Sequence, residues 1–241
     1  MVAGAVVFAA FLVACGGGSS KNSGGPTVAV SLTSDGCDPA SISAASGKTT
    51  FKVTNKGANG VTEFEILDGN HVIGEVENVV PGLTRSFNID LQPGTFTTSC
   101  PGGSKTPKGT LTVTGAAAAP TGPSGPTTSV DVVEKDFAIA PSAASGPAGN
   151  YTFNITNQGP TAHEFVIIKT DVKADQLPVQ GDEVNEDDPK LQRIDEVEDL
   201  QQGGTSSFTV NLEAGHYAFI CNIAAHYGQG MHVDFEVKSA G

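Results

Sequence analysis

The sequence predicts an all-β protein made of two β-sandwich domains in tandem. Three observations carry that expectation. Short segments alternate apolar with polar residues, turns rich in Gly, Pro and Asn separate them, and the second half of the chain repeats the first. The expected order is a leader over 1–14, a tether over 15–26, a first domain over 27–115, a linker over 116–126 and a second domain over 127–240.

Residues 2–14 form an unbroken apolar run. It is too short to span a bilayer as a mature helix, but it has the length of a signal-peptide core. No Lys or Arg precedes it. The run ends in Leu12-Val13-Ala14-Cys15-Gly16, which resembles a bacterial lipobox. That resemblance implies lipidation of Cys15, a membrane anchor through the lipid, and an extracytoplasmic location in the periplasm or at the outer cell surface. The Gly/Ser-rich stretch that follows reads as a flexible tether.

In the first domain the strand-like segments are Thr27–Leu32, Thr50–Thr54, Glu63–Leu67, Ser86–Leu91, Phe96–Cys100 and Gly109–Thr114. The linker has the Pro/Gly content of a segment outside both cores. The second domain then repeats the first. Thr50-Phe-Lys-Val-Thr-Asn-Lys-Gly57 answers Thr152-Phe-Asn-Ile-Thr-Asn-Gln-Gly159, Glu75-Val-Glu77 answers Glu196-Val-Glu198, and the segment ending at Cys100 answers the one ending at Cys221. The offset rises from 101–102 to 121, so the second copy carries an insertion of about twenty residues between Ile168 and Glu196. The insertion is acidic, with Asp171, Asp175, Asp182, Glu183, Glu186, Asp187, Asp188 and Asp195 in it. Charge at this density is expected to stay solvated, either as a plain surface loop or as a docking patch for a basic partner. Calcium is a weaker alternative, because no D-x-D-x-D-G loop is present. The net charge of −13 argues against nucleic-acid binding, which wants a basic surface.

Cys221, His226 and Met231 stand at C-x4-H-x4-M spacing, and His163 opens an upstream strand. Thiolate and thioether suit Cu(I) and imidazole suits Cu(II), so His2Cys with a weak axial Met is the ligand set of a copper site that shuttles one electron. His216 and His232 lie on strands without partner motifs and are expected at the surface.

Cys221-Asn222…His226-Tyr227…Gly230-Met231, with His163 before a strand, resembles the cupredoxin family of plastocyanin, azurin and auracyanin. The resemblance implies Greek-key sandwiches and one type 1 copper held by His163, Cys221, His226 and axial Met231. It also implies outer-sphere electron transfer with a redox protein, for which a basic, cytochrome c-like partner would fit the acidic chain. The edge of His226 would be the exit, ringed by Ala224, Ala225, Tyr227 and Pro160. Ile220 and Asn222 flank Cys221 where the copper oxidases and nitrite reductases place a histidine, and no His-x-His occurs. A carrier rather than an enzyme is therefore expected.

The first copy lacks this set, because Thr62 replaces His163 and neither His nor Met follows Cys100 closely. Asp35-Gly-Cys37-Asp-Pro39, Glu63-Phe-Glu65, Glu75-Val-Glu77 and Ser99-Cys100 resemble the cupredoxin-like domain of EfeO-type iron-uptake proteins. In that family the cysteines and acidic residues have been proposed to bind metal. Two uses of Cys37 and Cys100 stay open: a disulfide, or a second metal site with Glu63, Glu65, Glu75 and Glu77. The carboxylates themselves alternate as solvent-facing strand residues would. A metal-binding or delivery protein of an uptake system is the alternative to electron transfer.

Overall fold

The structure, a computed structural model, describes residues 25–116 and 126–239. The leader, Cys15, most of the tether and most of the linker lie outside the described residues. Among those described, strands dominate and no helix is long and apolar enough to cross a membrane.

Each copy folds as a sandwich. In the first, Gly36–Asp38, Thr27–Thr33, Gly47–Asn55 and Thr84–Leu91 form one sheet, in that order. His71–Val76, Phe64–Asp68, Gly94–Ser99, Lys108–Thr114 and Ser41–Ala45 form the facing layer. The second copy repeats this with Ala138–Pro141, Thr127–Lys135, Gly149–Asn157 and Thr205–Leu212 against Gln192–Leu200, His163–Lys169, Gly215–Ile220, His232–Lys238 and Ser145–Pro147. The parallel pairing of Thr27–Thr33 with Gly47–Asn55 recurs between Thr127–Lys135 and Gly149–Asn157. Alternation puts one face of each strand inside. Phe51 and Phe64 fill the first core, with the half-buried Phe87 stacked on Phe51. Tyr151, Phe153, Phe165, Phe208, Phe219 and Phe235 fill the second. Each fully buried aromatic contributes about 1.5–3 kcal/mol of transfer free energy.

The repeated Thr-Asn-x-Gly turns have a common role. Asn55 Nδ2 donates to the carbonyls of Ala58, Val61 and Val79. Asn157 Nδ2 donates to Thr161 O and Leu200 O, both at 2.7 Å, and its Oδ1 accepts from Gly159 N–H. Each buried amide thus satisfies loop carbonyls that no strand could pair. In the second copy it fixes the loop that delivers His163.

The outer layers of the two copies join edge to edge into a ten-stranded sheet. His71–Val76 pairs antiparallel with Gln192–Leu200, Val72 opposite Glu196 and His71 opposite Val197. Asn70 Nδ2 donates to Glu198 O, His71 Nε2 lies 2.6 Å from Asp195 Oδ1, and the His71 ring stacks on Phe208.

The insertion corrects an expectation. It is a packed cap, not a solvated loop. Ala174, Leu177, Val184 and Leu191 are buried with Tyr227 against Val166, Ile168, Ala218 and Ile220 on the outer sheet face. Apolar residues spaced through the acidic run supply that core. Its acids divide: Asp171, Asp175, Asp182 and Glu183 are exposed, whereas Glu186 and Asp195 turn inward.

Candidate metal centre

His163 begins its strand with a side chain that is fully buried, and Cys221 follows directly on Gly215–Ile220 with none of its surface exposed. A short 3₁₀ turn at Tyr227–Gln229 then returns the chain from His226 to Met231. Cys221 N–H donates to Met231 O at 3.1 Å and Met231 N–H to His226 O at 3.2 Å, so the loop closes on itself. Met231 is fully buried in the same core cluster as Cys221.

These elements bring three ligand atoms together. His163 Nδ1 and His226 Nδ1 are 3.3 Å apart, Cys221 Sγ is 3.4 Å from His226 Nδ1, and it is 4.0 Å from His163 Nδ1. Three donors about 2 Å from one ion lie at such separations. Soft sulfur with two imidazoles is a donor set that suits copper. The fit extends to the ring nitrogens left over: His163 Nε2 lies 2.8 Å from Asp136 Oδ1, and Asp136 is anchored by Thr161 Oγ1 at 2.8 Å. The approach to His163 is short but falls outside hydrogen-bond alignment. Gly159 permits it, because a Cβ there would meet His163 Nε2 at 2.7 Å and Asp136 Oδ1 at 2.6 Å.

The electrostatics treat the two kinds of ligand differently: they keep the His226 imidazole free of its proton and hold the proton on the Cys221 sulfur. Burial, with the Glu164 charge beside it, pushes the Cys221 thiol up to about 12. Glu164 N–H donates to Cys221 Sγ at 3.3 Å, and such a bond stabilises a thiolate. Burial and the neighbouring His163 hold His226 below its usual value, which keeps the imidazole neutral and able to ligate. The sulfur is therefore inert until a cation displaces its proton.

Residues 126–238 match the copper-binding proteins of the plastocyanin/azurin family, and residues 4–113 match the cupredoxin-like domain. The chain is a two-domain cupredoxin. The iron uptake system component EfeO of Yersinia pseudotuberculosis is 38% identical over 98 residues, or 41% of this cupredoxin and 26% of that protein. EfeO of Escherichia coli K12 is 39% identical over 94 residues, or 39% and 24%. The cupredoxin thus spans about a quarter of the length of the curated relatives it matches. Among solved structures, auracyanin B aligns at 19% identity and a TM-score of 0.36, covering 49% of this chain and 95% of its own. The auracyanin of Roseiflexus castenholzii aligns at 22% and 0.34, covering 48% and 97%.

The surroundings of the cluster differ from expectation in three respects. Tyr227 does not ring the His226 edge: it is buried under the cap, where its hydroxyl accepts from Leu177 N–H at 2.9 Å. Ala224, Ala225 and Pro160 are exposed, and Phe137 meets the His226 ring edge-on at 5.3 Å. Asn222, next to Cys221, clamps the cap by donating to Val184 O and Glu186 Oε1 and accepting from Val184 N–H. His216 is half-buried rather than exposed, bridging Thr170 O and Asp234 Oδ1, and His232 is half-buried against Tyr227.

Cys37 and Cys100 form a disulfide, so neither thiol is available to a metal. Their carboxylate neighbours do not face solvent. Glu65 is buried, and Glu63, Glu75 and Glu77 are at least half-buried, all turned toward the second copy. The edge-to-edge joining sets glutamates of both copies side by side on the face that alternation assigns to water, and Glu183, Glu186 and Asn222 of the second copy line the same cavity.

Proposed function

We propose that the second domain is a one-electron carrier built on a type 1 copper held by His163, Cys221, His226 and Met231. The observation that carries this is the convergence of two imidazole Nδ1 atoms and one buried sulfur within 4.0 Å of each other. Copper bound there supplies a Cu(I)/Cu(II) couple. The chain's own part is to hold the ligands on rigid strands, so that little moves when the charge changes. Glu164 N–H steadies the sulfur, and Asp136 flanks the far nitrogen of His163. The half-exposed His226, beside Ala225, Pro160 and Phe137, is the route by which a redox protein would exchange electrons. The exposed acids of the cap would favour a basic, cytochrome c-like partner. A carrier rather than a catalyst is supported by Ile220 and Asn222 beside Cys221: Ile220 is buried and Asn222 is committed to the cap.

The proposed setting is the outer side of the cell membrane, anchored through a lipid on Cys15. The Leu12–Cys15 motif supports it, and so does the Cys37–Cys100 disulfide, which persists in oxidising compartments. A Cys15→Ser protein that stays in the membrane fraction would refute the anchor.

A second reading, binding or delivery of metal for uptake, rests on the likeness to EfeO. Copper loading of the full chain separates the two. The carrier reading expects one copper per chain and an intense thiolate-to-copper visible band, bleached by a one-electron reductant, restored on oxidation and lost in Cys221→Ser. A colourless protein that surrenders copper quickly to a chelator would overturn it in favour of delivery.

A further inference from the structure

The internal repeat keeps carboxylates that the copper ligands do not explain. Glu63 answers Glu164, Glu75 answers Glu196 and Glu77 answers Glu198. Because corresponding edge strands pair, all six converge on one cavity or its rim, and Glu65 and Glu186 join them. Three overlapping trios have oxygens within 4.8 Å of one another: Glu63/Glu65/Glu198, Glu75/Glu196/Glu198 and Glu164/Glu186/Glu196. Two of them draw on both domains. Oxygens on opposite sides of an ion at 2.3–2.6 Å are about 5 Å apart, so the trios have the span of a hard-cation shell. The cavity has a volume of about 660 Å3 and reaches Asn222 and Ile223 of the Cys221–Met231 loop.

One observation points past a mere cluster of acids. Glu65 is 1% exposed and lines this cavity, yet its Oε2 has no hydrogen-bond partner. A buried carboxylate oxygen left unpaired costs on the order of 1–3 kcal/mol, more if charged. Among the described residues, Arg193 is the one cation paired with this group. It engages Glu75, Glu186 and Glu196 at one end and leaves Glu63, Glu65 and Glu198 without a positive partner. Burial together with the neighbouring carboxylates drives Glu63 up to about 11 and Glu198 up to about 12. A site so unfavourable for bare charge has the composition of a binding site for positive charge.

We propose that the cleft between the domains is a second metal site, taking a hard, oxygen-preferring divalent cation held by Glu63, Glu65 and Glu198 with the adjoining glutamates. The site belongs to neither domain alone. The cysteines take no part, because they are bonded to each other. It is also independent of copper at Cys221, since all-carboxylate and sulfur–imidazole sets select opposite classes of metal.

The test uses Mn2+ and the full chain, free of copper, with unbound Mn2+ read from its EPR signal. Saturable uptake of at least one Mn2+ per chain is expected. Glu65→Gln and Glu198→Gln, one from each domain, should each weaken it by roughly tenfold or more. Exposed Glu213→Gln should leave it unchanged. Cys221→Ser should also bind normally, which keeps this test separate from the copper reading. Mn2+ should raise the melting temperature of the wild type but of neither cleft variant, and the variants should melt no lower than wild type without metal. Absence of saturable uptake below ~1 mM would overturn the proposal. So would equal uptake by the two cleft variants and wild type.

Discussion

Arg193→Met probes what holds the two sandwiches together. The guanidinium pairs with Glu75, lies 2.9 Å from Glu196 Oε2 and 3.7 Å from Glu186 Oε2, and these carboxylate side chains are 3–6% exposed. Met keeps much of the volume and removes the charge. Deleting one partner of a buried ion pair costs about 3–5 kcal/mol, because the other charge is left stranded. Arg193 itself is 26% exposed, so solvent screens part of the loss and the lower end, about 3 kcal/mol, is expected. For a chain of this size that is a fall of roughly 6–12 °C in melting temperature. Differential scanning calorimetry should show more than a shift. Each sandwich has its own core, so weakened docking should split one transition into two. Adding Glu75→Gln to Arg193→Met should recover part of the loss by removing a stranded charge. A variant that melts within 2 °C of wild type, as a single transition, would refute the account of the interface.

Replacing Cys37 and Cys100 by Ala should destabilise the first domain by about 4 kcal/mol, the chain-entropy value for a bridge spanning 63 residues; urea unfolding measures it, and a loss below about 1 kcal/mol would contradict the estimate. Glu134 is fully buried with both carboxylate oxygens unpaired, and burial raises it to about 8. A raised folded value means its contribution is complete below pH ~4.5 and is lost as pH climbs toward 8, by up to about 4–5 kcal/mol. Glu134→Gln should flatten that part of the stability profile, and an unchanged profile would count against it. Asp136→Asn should lower copper affinity about 10–100-fold while leaving the fold intact, measured by competition with a chelator. Ala225→Glu should slow electron exchange with a protein partner without bleaching the copper band, and an unaltered rate would remove the His226 edge as the exit.

The cluster of His163, Cys221 and His226 was legible because its chemistry is local. Cys221, His226 and Met231 share one loop, and the repeat singled out His163 as the residue that replaces Thr62. Strand alternation made both sandwiches readable for the same reason. The rest depended on contacts between distant segments. Alternation assigns Glu63, Glu65, Glu75 and Glu77 to the side away from the core, which is correct within one domain, but it does not say that the edge-paired strands of the second domain and its cap crowd that side. The repeat did hold the signal, since three glutamates recur at matching positions whereas His163, His226 and Met231 do not. The cap was misread because charge density dominated its composition, whereas Ala174, Leu177, Val184 and Leu191 decide how it folds. Tyr227 followed that error, because without a packed cap nothing drew its hydroxyl inward.

The edge-to-edge pairing of corresponding strands has a consequence for what each copy is free to become. Val72 faces Glu196, and at the local offset of 121 the mates of these residues are Arg193 and Glu75, which form an ion pair. The junction is the self-complementary contact of a two-fold dimer written into one polypeptide. In a true homodimer every substitution appears twice, so an arginine at this position would occur on both sides of the axis, each opposite the other copy's glutamate, and the sulfur–imidazole cluster would come in pairs. Covalent fusion lifts that constraint. One half can keep a free cysteine beside two imidazoles while the other spends its equivalent cysteine on a disulfide, and a single arginine can serve a junction where symmetry would have demanded two.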